Sequence, residues 1–443
     1  MATASLSFHK AAMVALSSYF ALFLSTVLSA HGATAQQNFL TSDLSAQEYL
    51  QTTTPNVVLS VEFPTPELHS AWEHWKNAFN RVYESTGEGA LRKLTWLQNH
   101  AHITNHNSMA SSFTLGHNDF SDLSNDEFKQ KYHLGEHSPG IFMPKGRDSG
   151  KWISSERKLR KENDVYISED GDEVDTSTVD DVPAEKNWVE EGAVTNVKNQ
   201  WFCGACWAFS AVGAIEGARF IQTGNLTDLS IQQLIDCDLT DMGCGGGLMS
   251  YAFQYDEDDT GLCALEDYPF AMHRHWFYGC KRYMAYCEPL KHTKVAKYVN
   301  VTATEEALTA AIATQPVSVA VTAGGVNWQF YSSGVMDESC EDEVDHGVLA
   351  VGYGHYDPRN EPEFVVGTDS TQSAMDYYLV KNSWGSWWGI DGCKFWMLCA
   401  LSFLTELISI IASDIRLGRN IGHVNGSSCI LTLASRPILK AED

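Results

Sequence analysis

The feature that most constrains this chain is the block Gln200-Trp201-Phe202-Cys203-Gly204-Ala205-Cys206-Trp207-Ala208-Phe209, in which a cysteine stands where an amphipathic pattern begins. From Trp207 to Gln222 the apolar residues Phe209, Val212, Ile215, Ala218 and Phe220 recur at helical spacing, and Gly224 supplies a stop. A helix starting here puts Cys206 at its N-terminus, where the positive end of the peptide dipoles favours a thiolate. Two cysteines separated by two residues also suit a metal site or a redox pair, so the spacing alone leaves those readings open. The downstream residues decide between them. His346, 140 residues after Cys206, opens the apolar run Gly347 to Gly352, where a polar side chain needs a partner and a thiol is one. Asn382, in Lys381-Asn-Ser-Trp384-Gly-Ser-Trp-Trp-Gly, can bond the second ring nitrogen and fix the tautomer. Thiol, imidazole and amide then form a set suited to nucleophilic attack on a carbonyl.

The rest of the chain gives that set its setting. With 443 residues, 44% hydrophobic and 19% charged, it is a folding sequence with room for two or three domains. A formal charge of −26 argues against nucleic-acid binding, which needs a basic face for phosphates. Lys10, the apolar run from Ala11 to Ala30 and the small residues Ala33-Thr34-Ala35 read as a secretory signal peptide ending at residue 35. The alternative is an uncleaved anchor helix, because the run is long. Secretion permits disulfides among the 11 cysteines and agrees with three glycosylation acceptors, at Asn225, Asn300 and Asn425. The expected destination is the lysosome or vacuole, or the cell exterior. From Leu68 to Asn107 the series Trp72, Trp75, Phe79, Tyr83, Leu91, Trp96 and Ile103 lines helix faces, with a break expected near Gly87. Residues 148–181, first basic and then acidic, read as an exposed linker open to proteolysis. From Val182 on the texture is that of a folded domain, with strands expected at Val317 to Val321, Gly347 to Gly352 and Tyr377 to Lys381. No internal repeat is present.

The Cys206, His346 and Asn382 blocks resemble the papain family of cysteine peptidases, and two further motifs narrow the resemblance to its cathepsin L-like subgroup. Glu88, Arg92, Trp96, Asn99, Ile103 and Asn107 keep the interspersed spacing of the inhibitory propeptide helix, with Trp in the usual Phe place. Gly116, Asn118, Phe120 and Asp122 match the second propeptide motif. The resemblance implies an α+β, papain-like two-lobe fold, a helical lobe with Cys206 and a β-barrel-like lobe with His346 and Asn382, preceded by a helical propeptide. It divides the chain into a signal peptide at 1–35, a propeptide at 36–181 with its inhibitory part at about 68–130, and a mature domain at 182–443. It implies that Gln200 and the Cys206 N–H form the oxyanion hole, and that Trp384 covers the His–Asn bond. It places substrate against Trp384, Gly246, Gly247, Leu248, Met249, Ala320, Gly347 and Ala434, of which the apolar set Leu248, Met249, Ala320, Gly347 and Ala434 favours a hydrophobic residue one before the scissile residue. It pairs Cys203 with Cys244, Cys237 with Cys280 and Cys340 with Cys429. Cys263 and Cys287 remain as a candidate extra bridge. No metal or cofactor is implied. The implied partners are protein and peptide substrates and the chain's own propeptide, in a monomer with no membrane span after signal cleavage. An ion pair between Glu88 and Arg92 is the expected acid-sensitive contact.

Four departures stand against the family pattern. Trp201 takes a position that is nearly always Gly, Gly245 replaces an Asn, and a long loop separates Gly354 from Tyr377. Cys393 to Asp414 interrupts the pattern Gly-Tyr-strand that should follow Gly392. Cys-Lys-Phe can encode a splice-donor string, and joining across the gap restores Gly-Tyr-Ile415-Arg-Leu, so the segment reads as a retained intron. A genuine apolar helix is the alternative, although Glu406 weakens a membrane-spanning reading. If translated, the segment is expected to split a core strand. Trp201 and this segment also suggest a second function, a catalytically impaired homologue acting as a binding or storage protein. The complete Gln-Cys-His-Asn set argues against it. A membrane-tethered interaction protein is a third reading, and needs one of the apolar segments to persist.

Overall fold

The computed structural model describes residues 65–134, 160–162, 165–167, 173–175, 182–258, 261–275, 280, 285–340, 343–360, 374–390, 413–423 and 425–441. The signal-peptide reading and most of the Cys393–Asp414 segment lie outside these residues.

Helix α1 (Pro66–Ala78) begins where the Thr65 hydroxyl accepts the Leu68 N–H, with Pro66 in its first turn. Helix α2 (Thr86–Asn107) begins at Ser85, whose hydroxyl accepts the Glu88 N–H. The break between them falls at residues 79–85, where Asn80 takes a positive φ of 49°. Gly87 instead lies in the first turn of α2. Trp72 and Trp75 of α1 pack on Trp96 of α2, which is a small core of this N-terminal region's own. Strand β1 (Phe113–Leu115) and helix α3 (Asn125–Tyr132) follow, α3 opening with a capping box of Ser124 and Glu127.

Strands β2 (Arg160–Glu162), β3 (Val165–Ile167) and β4 (Glu173–Asp175) come from the acidic linker. They are not coil: β4 pairs in parallel with β6 (Val295–Val301). Short runs such as Val165-Tyr-Ile have the β-branched and aromatic character that an open sheet edge accepts. Strand β5 (Lys186–Asn187) precedes helices α4 (Cys206–Thr223), α5 (Ile231–Cys237) and α6 (Met249–Asp258). After β6 come helix α7 (Glu305–Thr314), strand β7 (Val317–Val321), helix α8 (Val326–Phe330) and strand β8 (Tyr331–Gly334). Strands β9 (His346–Tyr356), β10 (Met375–Lys381), β11 (Asp414–Gly418) and β12 (Ala434–Leu439) complete the chain.

The main sheet runs β11-β10-β9-β7-β12-β6-β4-β3-β2, with β5 beside β9. It is a mixed open sheet that ends on β11 and β2, not a closed barrel. Helix α4 is buried on nearly every side from Cys206 to Ala218, as its continuous run of Ala, Val, Ile and Gly requires. Helices α4 to α7 and the sheet share one apolar core, in which Trp207, Trp328, Trp384 and Trp388 are the largest fully buried side chains. The long loop is a hairpin extension, because Met375 of β10 still pairs with Tyr356 of β9 across it.

Four disulfides join the described cysteines: Cys203–Cys244, Cys237–Cys280, Cys263–Cys287 and Cys340–Cys429. Cys263 and Cys287, whose pairing the sequence left open, thus form a bridge of their own. Among the described residues Cys206 is the free cysteine.

Candidate active site

Cys206 is the first residue of α4, His346 the first of β9, and Asn382 follows directly on β10. Each sits at an element end, where its side chain is fixed by a rigid neighbour yet not consumed by packing along a face. Strands β9 and β10 are hydrogen-bonded neighbours, which brings Asn382 to His346 across the sheet. The His346 Nε2–H donates to Asn382 Oδ1 at 2.7 Å, and the Ser383 N–H donates to the same oxygen at 2.7 Å. The second bond fixes which end of the amide faces the ring. The tautomer follows: Nε2 holds the proton and Nδ1 is bare. Nδ1 is buried and has no hydrogen-bond partner, so it is the nitrogen free to take a proton. The thiol lies beside the N–H of Gly347, the residue after His346.

Both reactive groups are fully buried. Burial pushes the Cys206 thiol up to about 12, because the thiolate has lost its water; the Gly347 and Trp207 N–H groups only partly offset this, and the Asp345 carboxylate opposes them. Burial also pushes the His346 imidazole down to about 4, with the Asn382 bond acting weakly the other way. In the covered state the pair is therefore thiol and neutral imidazole.

Gln200 is clamped from both ends. Its Oε1 accepts the Ser383 hydroxyl at 2.6 Å, its Nε2–H donates to Cys203 O at 3.1 Å, and its own N–H donates to Ser383 O at 2.8 Å. Ser383 is thus a supporting residue that sequence patterning passed over; its place beside Asn382 was the available signal. Trp384 stacks on His346 with centroids 4.8 Å apart and an interplanar angle of 27°. Trp201 has a φ of +51°, in the left-handed region, with its N–H held by Asn199 Oδ1 at 2.8 Å. Its backbone conformation is one that glycine adopts freely, and a tryptophan there carries strain of about 1–3 kcal/mol.

The expected substrate positions fall in two groups. Ala320 and Gly347 face each other across β7 and β9, and Ala434 pairs with Val319 on the other side of β7. Gly246, Gly247, Leu248 and Met249 run into the start of α6. Gly247 has no alternative, since a Cβ there would lie 2.6 Å from Asp241 Cγ and 2.7 Å from the Trp207 ring. Asp241 Oδ1 accepts the Leu248 N–H at 2.9 Å and so anchors this strip. Burial, and then the charge of nearby Asp238, push Asp241 up to about 9.

The N-terminal region closes over this site. Strand β1 pairs with β8, Phe113 opposite Gly334. Phe120, Phe128 and Tyr132 all pack against Trp384, with centroids 6.3, 5.1 and 5.4 Å away. Asn118 Nδ2–H donates to Gln329 O at 2.6 Å. The polar motif residues serve this packing: Asn99 donates to Ser121 O and Leu123 O, and Asn107 exchanges two bonds with the Leu115 backbone. Arg92 bonds Glu127 at 2.8 Å and Asp122 O at 2.9 Å, not Glu88. Glu88 lies in the first turn of α2, where its carboxylate turns back to accept the Glu84 N–H at 2.9 Å.

Residues 182–398 match the papain family cysteine protease model, and residues 72–128 match the cathepsin propeptide inhibitor domain. Cysteine protease XCP2 of Arabidopsis thaliana is 37% identical over 377 residues, spanning 84% of this chain and 86% of that protein. The chain belongs to the papain family of cysteine proteases. Procathepsin L of Rattus norvegicus is 37% identical to this papain-family chain over 347 residues, 75% of this chain and 90% of that one. Among solved structures, the ragweed pollen allergen Amb a 11 cysteine protease in its proform gives a TM-score of 0.61 at 29% identity, covering 85% of this chain and 97% of that chain. Recombinant stem bromelain precursor gives 0.61 at 29% identity, covering 85% and 100%. The helices α1 to α3 are thus the inhibitory propeptide of a papain-family zymogen.

Proposed function

We propose that the chain is the precursor of an endopeptidase in which Cys206 Sγ attacks the scissile carbonyl carbon and His346 carries the proton. The observation that carries this reading is the bare, buried Nδ1 of His346, one residue from the N–H that touches the thiol. In the mature enzyme the thiol proton moves to Nδ1, giving a thiolate and an imidazolium. Attack forms a tetrahedral intermediate whose oxyanion takes hydrogen bonds from the Gln200 amide and the Cys206 N–H. His346 then protonates the leaving amine, leaving a thioester on Cys206. It next removes a proton from water, which hydrolyses the thioester. Asn382 keeps the ring in the tautomer that this needs, and Trp384 shields their bond from water.

The propeptide inhibits in two ways on this reading. It blocks access through β1 and the aromatic cluster on Trp384, and by excluding water it keeps the reactive pair uncharged. Activation restores solvent and removes the burial penalty on both charged forms; the N-terminus of α4 and the attraction between thiolate and imidazolium then carry the thiol below the imidazole. The apolar set around Met249, Ala320 and Ala434 favours a bulky hydrophobic residue one before the scissile residue. The precursor enters the secretory pathway through a signal peptide at 1–35, and its mature domain, from Val182, acts as a monomer in an acidic organelle or outside the cell. No described helix is long and apolar enough to cross a membrane.

The test is hydrolysis of matched peptides by acid-activated protein. Leu or Phe before the scissile residue should give kcat/KM at least about tenfold above Arg, the range an apolar pocket supplies. Equal rates for Leu and Arg would overturn the preference, and cleavage surviving Cys206→Ala would overturn the mechanism.

A further inference from the structure

Beside the oxyanion residue Gln200 the surface carries two aromatic side chains that the reaction does not use. Trp201 is 44% exposed and Phe202 is 63% exposed, although large apolar side chains are ordinarily withdrawn from water. The chain's own propeptide occupies this rim. Lys131 Nζ lies 5.0 Å from the centroid of the Phe202 ring, within the range of a cation–π contact. His133 Nε2 is 3.2 Å from Phe202 O, and its ring packs on Gly204, where a Cβ would come within 3.0 Å of His133 Cγ. These residues thus follow the strip Phe202 to Gly204 that leads straight to Cys206.

We propose that the face of Phe202 is a specificity-determining subsite for a basic side chain of the peptide substrate. A propeptide that shields a cleft must satisfy the surfaces a substrate would meet, and Lys131 shows what this one accepts. The charge balance agrees: residues 182–443 hold 16 Lys and Arg against 33 Asp and Glu, a formal −17 that favours cationic over anionic peptides, and an aromatic face adds local attraction that does not require a buried carboxylate. Removal of the propeptide also removes Phe120 and Tyr132, whose rings lie 5.9 and 5.8 Å from Lys131 Nζ. Phe202 is the ring among these three that stays with the peptidase. The inference rests on the endopeptidase reading above.

The experiment uses the acid-activated enzyme and a fluorogenic octapeptide series in which one Lys is moved position by position along a fixed apolar frame, each paired with a norleucine control. At one position Lys should raise kcat/KM about 2- to 5-fold over norleucine, the worth of an exposed cation–π contact. Phe202→Ala should abolish that gain while leaving the norleucine peptides unchanged, and Phe202→Tyr should keep it. A Lys effect indifferent to Phe202→Ala, or an equal loss for both peptide sets, overturns the proposal. If the wild type cleaves no peptide of the series, the endopeptidase reading fails and this one with it; cleavage without Phe202-dependent discrimination sinks this one alone. In the intact zymogen, Lys131→Ala and Phe202→Ala should each speed labelling of Cys206 by a thiol-reactive epoxysuccinyl probe, with no further gain in the double variant. Additive effects of the two would contradict the contact.

Discussion

One oxygen of Asn382 holds both the Ser383 N–H and the His346 ring, so this residue, not the ring itself, determines which imidazole nitrogen is left for chemistry. The places of Cys206, His346 and Asn382 at element ends were legible in the sequence, because each is a polar side chain set at the edge of an apolar run. Ser383 was not legible as the clamp on Gln200, since a serine after an asparagine is an ordinary turn pair. Gln200→Ala should lower kcat by about 10²- to 10³-fold with the fold intact, read by steady-state kinetics beside circular dichroism. The propeptide carries its own titrating pair. His100 Nδ1 and His117 Nε2 lie 2.9 Å apart, and Trp96 stacks on the His117 ring at 4.5 Å. Ser121 bonds the other His117 nitrogen, and the charge felt by His117 is that of His100. Burial pushes His117 down to about 3 and lowers His100 as well. Both pKa values are depressed in the fold, so the unfolded propeptide binds more protons below about pH 6.5. The stability from neutral histidines is present above that pH and is lost as pH falls toward 3. Glu88, expected from sequence to do this, has no ion-pair partner in Arg92. His117→Phe should therefore move the onset of activation to lower pH, measured by the appearance of mature protein across a pH series. An unmoved onset would assign the acid response elsewhere.

At the level of elements, helix α2 shows why a motif reads as a pattern before it reads as a mechanism. Its apolar positions announce the helix, and Trp96 and Ile103 duly point into cores. Its polar positions are unintelligible from the helix alone, because Asn99 and Asn107 spend their amides on the chain at 115–123, which sequence separation hides. The pairing of β1 with β8, and of the acidic linker with β6, escaped for the same reason: three-residue strands carry almost no periodicity, and their partners lie more than a hundred residues away. Asn99→Ala leaves two backbone carbonyls without their donor in a buried setting. It should destabilise the propeptide by about 1–3 kcal/mol, seen as a lower first transition in thermal unfolding of the zymogen.

Across the whole molecule, the segment after Gly392 is where sequence and structure disagree most usefully. The expected split of a core strand does not occur. Strand β11 starts at Asp414 and pairs with β10 in full, and it is the terminal strand of the sheet. The Ile390 N–H donates to Asp414 O at 2.8 Å, so the described residues on either side of the segment meet at the start of β11. The junction is nevertheless poor. Ser413 has a φ of +99°, and Ser413 Oγ and Asp414 Oδ1 are buried with no partner. Burial pushes the Asp414 carboxyl up to about 8, against the opposing charges of Lys381 and Arg416. Removing residues 393–413 together with Asp414→Tyr should raise the melting temperature by about 2–4 °C per kcal/mol regained, and at least 1 kcal/mol is expected from the orphaned carboxyl. A lower melting temperature would show that the segment belongs to the native protein. On the function proposed above, Cys206 is the nucleophile, held silent by burial under the propeptide. The most direct measurement is the labelling rate of Cys206 by an epoxysuccinyl probe in the intact zymogen at neutral pH and in the acid-activated protein, with Cys206→Ser as control. Labelling should be slow before activation, at least about 10²-fold faster after it, and absent in the control. Equal rates before and after, or labelling that persists in Cys206→Ser, would contradict it.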